Sequence, residues 1–135
     1  LLDRIDIQCE ISPVPFKDIS KAAPGEPSAR IRERVIRARE IQAERFKDFK
    51  GIHCNAQMTE RMIHQFAEPT EEGINLLRMA MEKLSLSARA YNRILKVART
   101  IADLAGSQQI EPQHLAEAIG YRTLDRGDWA ERGHF

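Results

Sequence analysis

Several residue types are scarce in this sequence, and each shortage removes a class of answer. Cysteine occurs only at Cys9 and Cys54. Two thiols cannot build the disulfide framework of a small secreted domain, so a reducing cytoplasm is the expected location. Aromatic residues make up 6% of the chain, and leucine, isoleucine, alanine and methionine supply most of the core material. That composition suits helices better than sheets. Charge of one sign is not in excess: the formal net charge is +1, which gives no global argument for nucleic acid, membrane or acidic substrates. No apolar run approaches the ~20 residues of a membrane span, and no signal-peptide pattern is visible. None of the seven glycines is followed by lysine. The sequence therefore holds no phosphate loop, nor an apolar run ending in Asp-Glu that could hold Mg²⁺. His53 and Cys54 are adjacent, and His64, His114 and His134 have no matching spacing. They read as turn and core residues rather than as a metal site or a Cys/His nucleophile pair.

What is present is organised around LSLSARAYNRILKVARTIADLAG, residues 84–106. Ser87 can cap a helix by accepting from a first-turn N–H, and Gly106 can end it in the left-handed conformation. Between them Tyr91, Ile94, Leu95, Ala98, Ile101, Ala102 and Ala105 recur at three- and four-residue spacing, the stripe of a core-facing helix. Arg89 follows the cap by two residues, where helix N–H groups and the helix dipole favour an anion. It reads either as a solvated arginine or as a phosphate ligand.

The rest of the chain falls into an order. Ile5, Ile7, Cys9 and Ile11 alternate with polar residues, which predicts one β-strand within residues 1–15, closed by Ser12-Pro13-Val14-Pro15. A lone strand needs partners outside itself. It must fray, dock on helices or pair with another molecule. The chain opens at Leu1 without methionine, cap or turn and is expected to be part of a longer protein. Residues 16–28, with Pro24, Gly25 and Pro27, read as a linker between two bodies. A helix is predicted over 29–49 with Ser28 as cap and Ile31, Val35, Ala38, Gln42 and Phe46 on one face. Thr59 and Thr70 cap helices to about Ala67 and over 71–84, and Glu111-Pro112 starts a last helix with an Ile110–Leu115 staple. The expected fold is all-α: a small helical bundle over 29–126, preceded by one orphan strand and followed by a loose tail, 127–135. Tyr121 and Leu124 are expected to dock; Trp129 has no assigned role.

The chemistry left is that of arginine. Arg4 stands just before the orphan strand and Arg89 at a helix start. Guanidinium groups suit the charge that develops on a transferring phosphoryl group. Five arginines also fall between Arg30 and Arg39, and residues 28–50 carry a local +4. Arg30, Arg34 and Arg37 read either as part of a solvated face or as a basic ridge toward nucleic acid or an acidic neighbour, without interleaved aromatics for base stacking.

LLDRIDI before a proline-containing linker, SARIRERV, CNAQM, and SARAYNRILKVARTIADLAGS with a following HLAEAIGYR together resemble the C-terminal part of the magnesium-chelatase-like AAA+ family, over nearly the whole chain to about Arg126. The resemblance implies the last strand of an α/β nucleotide-binding core followed by the family's helical lid. It puts Arg89 at the sensor-2 position, which reaches the γ-phosphate in the same subunit. It makes Arg4 an arginine finger that completes the site of a neighbouring subunit in a ring. It implies ATP and Mg²⁺ as cofactors of the intact protein, with none expected on this stretch alone. A hexamer is implied as the assembly, with DNA as a possible partner and no membrane. One branch of the family remodels DNA by branch migration during uptake; another drives metal insertion into protoporphyrin. A free-standing helical DNA-binding or adaptor module remains the alternative. No constellation supports a small enzyme with its own site.

Overall fold

The structure is a computed structural model that describes residues 4–21 and 23–122. The expectations for Leu124, Trp129 and the tail lie outside these residues. The elements are α1 (Phe16–Lys21), α2 (Ser28–Arg45), a 3-10 turn (Asn55–Gln57), α3 (Glu60–Phe66), α4 (Glu71–Leu84), α5 (Ala88–Leu104) and α6 (Pro112–Gly120). The class is all-α, as the composition and periodicity require. The five helices read from the sequence are α2 to α6.

α5 is the element the others pack on. Ala90, Ile94, Leu95, Ala98 and Ala102 on it are buried, and it touches α2, α3, α6 and the 3-10 turn, while α4 packs on α6. Burying a large aliphatic side chain such as Ile94 contributes about 1.5–3 kcal/mol. The small alanines let neighbouring helices come close. Gly73 does the same for α4: a Cβ there would lie 2.7 Å from Cδ1 of Leu115 on α6. Phe46, Phe49 and Phe66 close the other side in edge-on pairs with centroids 5.6–6.5 Å apart, the geometry ring quadrupoles favour.

The predicted caps form. Oγ1 of Thr59 accepts from Met62, Oγ1 of Thr70 from Gly73, and Oγ of Ser87 from Ala90. Ile110 and Leu115 are fully buried at the start of α6, and the Glu111 N–H donates to Nδ1 of His114 at 3.0 Å. α5 ends on Gly106 at φ +72, with the Gly106 N–H donating to Asp103 and the Ser107 N–H to Ala102. This is a Schellman closure.

Three local expectations are corrected. The 16–28 linker contains α1, whose first turn closes on the Pro15 carbonyl. α2 starts one residue earlier than predicted: Pro27 is its cap, without a side-chain bond, and Ser28 is already helical. It also stops at Arg45, because the chain must turn to bring Phe46 and Phe49 against Phe66, and the reversal ends on Gly51 at φ +83. Finally, the alternating run of residues 5–15 forms no ladder among the described residues. It takes the docking option instead. The Gln8 N–H donates to the Tyr121 carbonyl at 2.7 Å, and the buried Arg122 donates to the Ile5 carbonyl.

Candidate functional site

Arg89 is the second residue of α5 and is exposed. Ser87 satisfies the Ala90 N–H at 3.1 Å, so the cap fixes where the helix starts and therefore where Arg89 points its backbone. No acidic residue lies in the first turn of α5, which leaves the positive end of the helix without a covalently attached counter-charge. A guanidinium at such an end can meet a phosphate.

Arg4 is exposed, at the start of the described N-terminal segment. The segment lies against the bundle. Asp6, two residues on, forms an ion pair with Arg93 of α5 at 2.5 Å. Arg93 is one helical turn from Arg89. The fold thus brings the neighbourhood of Arg4 and the neighbourhood of Arg89 to one side of α5.

The remaining candidate arginines are on α2. Arg30 and Arg37 are exposed, and so are Arg32 and Arg39. Arg34 is partly exposed and engaged in an ion pair with Glu26. That bond holds the Glu26 carboxyl below the usual carboxylate range and raises the Arg34 guanidinium above its ordinary value. Ile31, Val35 and Ile36 are also exposed on this half of the helix, so it projects from the bundle and the predicted apolar stripe is buried only from Ala38 onward.

The largest feature that sequence reading missed is a buried polar cluster at the other end of α5. Both carboxylate oxygens of Asp103, whose side chain is 0% exposed, accept from Arg45 at 2.7 and 2.8 Å. The Asn55 side chain donates to Asp103 and to Thr100 and accepts from Arg45, and the Asn55 backbone N–H donates to Oε1 of Gln42. Arg99 donates to the carbonyls of Ser107 and Gln108 and lies 3.3 Å from Asp103. Burial lowers the pKa of Arg99, while Asp103 opposes the shift. The cluster ties α2, the 3-10 turn and the α5–α6 loop into one body. The signal available in the sequence was the Arg99–Asp103 spacing of four beside the apolar stripe.

No group of three or more His, Cys, Asp or Glu side chains that could hold a metal ion occurs among the described residues. No helix among them is long and apolar enough to cross a membrane.

Comparison with known proteins places this arrangement. The family described as magnesium chelatase, subunit ChlI C-terminal, matches residues 25–122. The competence protein ComM of Haemophilus influenzae is 44% identical over 126 residues, covering 93% of this chain and 24% of that protein. The uncharacterized protein YifB of Escherichia coli is 43% identical over the same shares. An uncharacterized protein of Mycobacterium bovis is 33% identical over 90% of this chain and 24% of its own length. The chain spans about a quarter of the length of these relatives. A match over residues 25–122, together with this similarity to ComM and YifB, means that the chain belongs to the magnesium chelatase C-terminal family, in its ComM/YifB-type form.

Proposed function

We propose that this chain is the helical lid of a magnesium-chelatase-like AAA+ ATPase and that it contributes two arginines to ATP hydrolysis. The observation that carries the reading is the position of Arg89: exposed at the second residue of α5, the helix on which the others pack. Its backbone moves only with that body. In this reading Arg89 is the sensor-2 arginine and neutralises charge on the γ-phosphate held by a core domain elsewhere in the same protein. Arg4 is the arginine finger and serves the site of the next subunit in a hexameric ring. ATP with Mg²⁺ supplies the phosphoryl group whose transfer to water does the work. The residues described here orient that phosphate and balance its charge; they do not hold the nucleotide alone.

Similarity to a protein named for competence supports DNA remodelling, of the branch-migration type, as the output. The family's own description keeps metal insertion into a porphyrin as the second reading. The α2 arginines Arg30, Arg34 and Arg37 are candidates for contact with DNA, with Arg34 having to leave Glu26 first.

In the intact protein, Arg4→Ala should lower ATP turnover by roughly a thousandfold, the scale of an arginine finger. Arg89→Ala should lower it on the order of a hundredfold, as loss of one preorganised charge donor does. Both side chains are exposed, so folding should be unaffected. Normal turnover in both variants contradicts the assignment. Stimulation of turnover by branched DNA supports the remodelling output, and stimulation by a porphyrin substrate supports metal insertion.

A further inference from the structure

The first half of α2 has a face that the described bundle does not cover. Ile31, Val35, Ala38 and Gln42 recur at spacings of four, three and four, so they form one line along the helix. Ala38 and Gln42 are buried, whereas Ile31 and Val35 on the same line are 43% and 41% exposed. The core-facing stripe of α2 therefore runs about two turns past the core it serves. Where it leaves the core, Val35, Ala38 and Arg39 share a groove of about 560 Å³ with Thr100 and Leu104 of α5, and Leu104 is itself exposed.

A spacing of four, three and four is that of a seam between two helices. The positions that flank the exposed part of this seam are 32, 34 and 39, and each is an arginine. Arg32 and Arg39 are exposed. Arg34 is paired with Glu26, so one flanking arginine already takes a carboxylate. Arg30 and Arg37 fall on the outer face of the helix. An apolar line between arginines is matched by an apolar line between carboxylates on a facing helix. A nucleic-acid backbone matches it poorly, because phosphates supply charge but nothing to cover isoleucine and valine. We propose that the projecting half of α2 docks an acidic amphipathic helix of the α/β core of the same subunit, a partner whose identity rests on the lid reading above. The matched stretch is 24% of ComM and of YifB, which leaves most of such a protein to supply that helix. The run at residues 5–11, read as the last strand of the core, is joined to Ser28 by residues 16–27, a reach of at most about 40 Å. The core therefore lies near the first turn of α2. Ile31, Val35 and Leu104 make the apolar contact, and Arg32 and Arg39 meet the carboxylates. Arg45 at the far end of α2 is held by Asp103, so docking of the first half sets the orientation of the whole bundle on the core.

Amide exchange in the intact protein tests this. Val35→Asp and Ile36→Asp place the same charge at neighbouring positions of similar exposure, 41% and 46%. Val35 is on the seam and Ile36 is on the outer face. Val35→Asp should speed exchange of the amides of residues 32–38 by roughly tenfold, as loss of a docked apolar contact does. Ile36→Asp should change it far less. Exchange in α5 should stay unchanged in both variants, which reports that the bundle is folded. Arg32→Glu, exposed and outside the core, should act in the same direction as Val35→Asp and decides where Val35→Asp disturbs the bundle. The protection should not depend on protein concentration or on added DNA. Equal exchange in Val35→Asp and Ile36→Asp overturns the docking face. Protection that appears only with duplex DNA assigns the face to nucleic acid, and protection that appears only on assembly into rings assigns it to a neighbouring subunit; either result overturns the proposal. All three leave the role of Arg89 standing, since that is read from turnover of Arg89→Ala. Normal turnover in both Arg4→Ala and Arg89→Ala removes the proposed function and with it the core as partner.

Discussion

Asp103 is the residue on which most of the buried polar chemistry converges. It is surrounded by Arg45, Arg99 and Asn55 and has no access to water. Removing the carboxylate leaves two guanidinium groups, one 5% and the other 11% exposed, without their counter-charge. Asp103→Ala should therefore destabilise the fold by about 3–5 kcal/mol, measurable by urea denaturation, and should do so without any role in catalysis. The exposed Glu26–Arg34 pair behaves differently. Its hydrogen bond lowers the Glu26 pKa, so the tether is complete above the ordinary carboxylate range and is lost as pH falls through the lowered folded-state value. NMR titration of the Glu26 carboxyl should show a midpoint below that of Glu26 in Arg34→Ala. The sequence exposed one of these features and hid the others. Arg89 could be found because its place depends only on a cap two residues away. The Asp103 cluster could not, since its partners Asn55 and Arg45 lie 48 and 58 residues away and become neighbours only when α2 packs on α5.

Helix ends show the same division among elements. α4 and α5 close in one way: the Ser85 N–H donates to Glu82 and the Leu86 N–H to Met81, as Gly106 and Ser107 do with Asp103 and Ala102. They differ in the residue that must turn left-handed. Gly106 does so at φ +72 without strain, whereas Ser85 does so at φ 51 with a side chain. Ser85→Gly should stabilise the bundle and Gly106→Ala should destabilise it, each by roughly 1 kcal/mol. Thermal unfolding of the two variants checks the opposite signs; nothing lies within 4 Å of an added Cβ at Gly106, so packing should not intrude. Caps and staples such as Thr59, Thr70, Ser87 and Ile110–Leu115 were legible because their partners are three to five residues away. α1 was hidden by the prolines that flank it at Pro13, Pro15 and Pro24. The alternating run at 5–11 has the pattern of a strand, but a strand exists only with a partner, and pattern alone cannot supply one.

At the scale of the whole molecule, the exposed arginines fall into two groups by the elements that carry them. One side of α5 gathers Arg89, Arg93, Asp6 and the segment of Arg4. The projecting half of α2 carries the exposed arginines Arg30, Arg32, Arg37 and Arg39 together with Ile31, Val35 and Ile36. If the second surface were a free-standing DNA site, the chain itself should bind DNA with a steep salt dependence that charge reversal at Arg34 and Arg37 reduces. The lid reading instead requires the first surface to work only within a ring. In the proposed reading Arg89 would act on its own subunit's nucleotide and Arg4 on the neighbour's, so each could be lost from a different subunit. The most direct measurement is ATP turnover of the intact Arg4→Ala and Arg89→Ala proteins, assayed separately and after mixing and reassembly. The account predicts two variants that are nearly inactive alone and a mixture that regains turnover, because an Arg4→Ala subunit keeps its sensor and receives a finger from an Arg89→Ala neighbour. A mixture as inactive as its parts, in rings shown to exchange subunits, would contradict it.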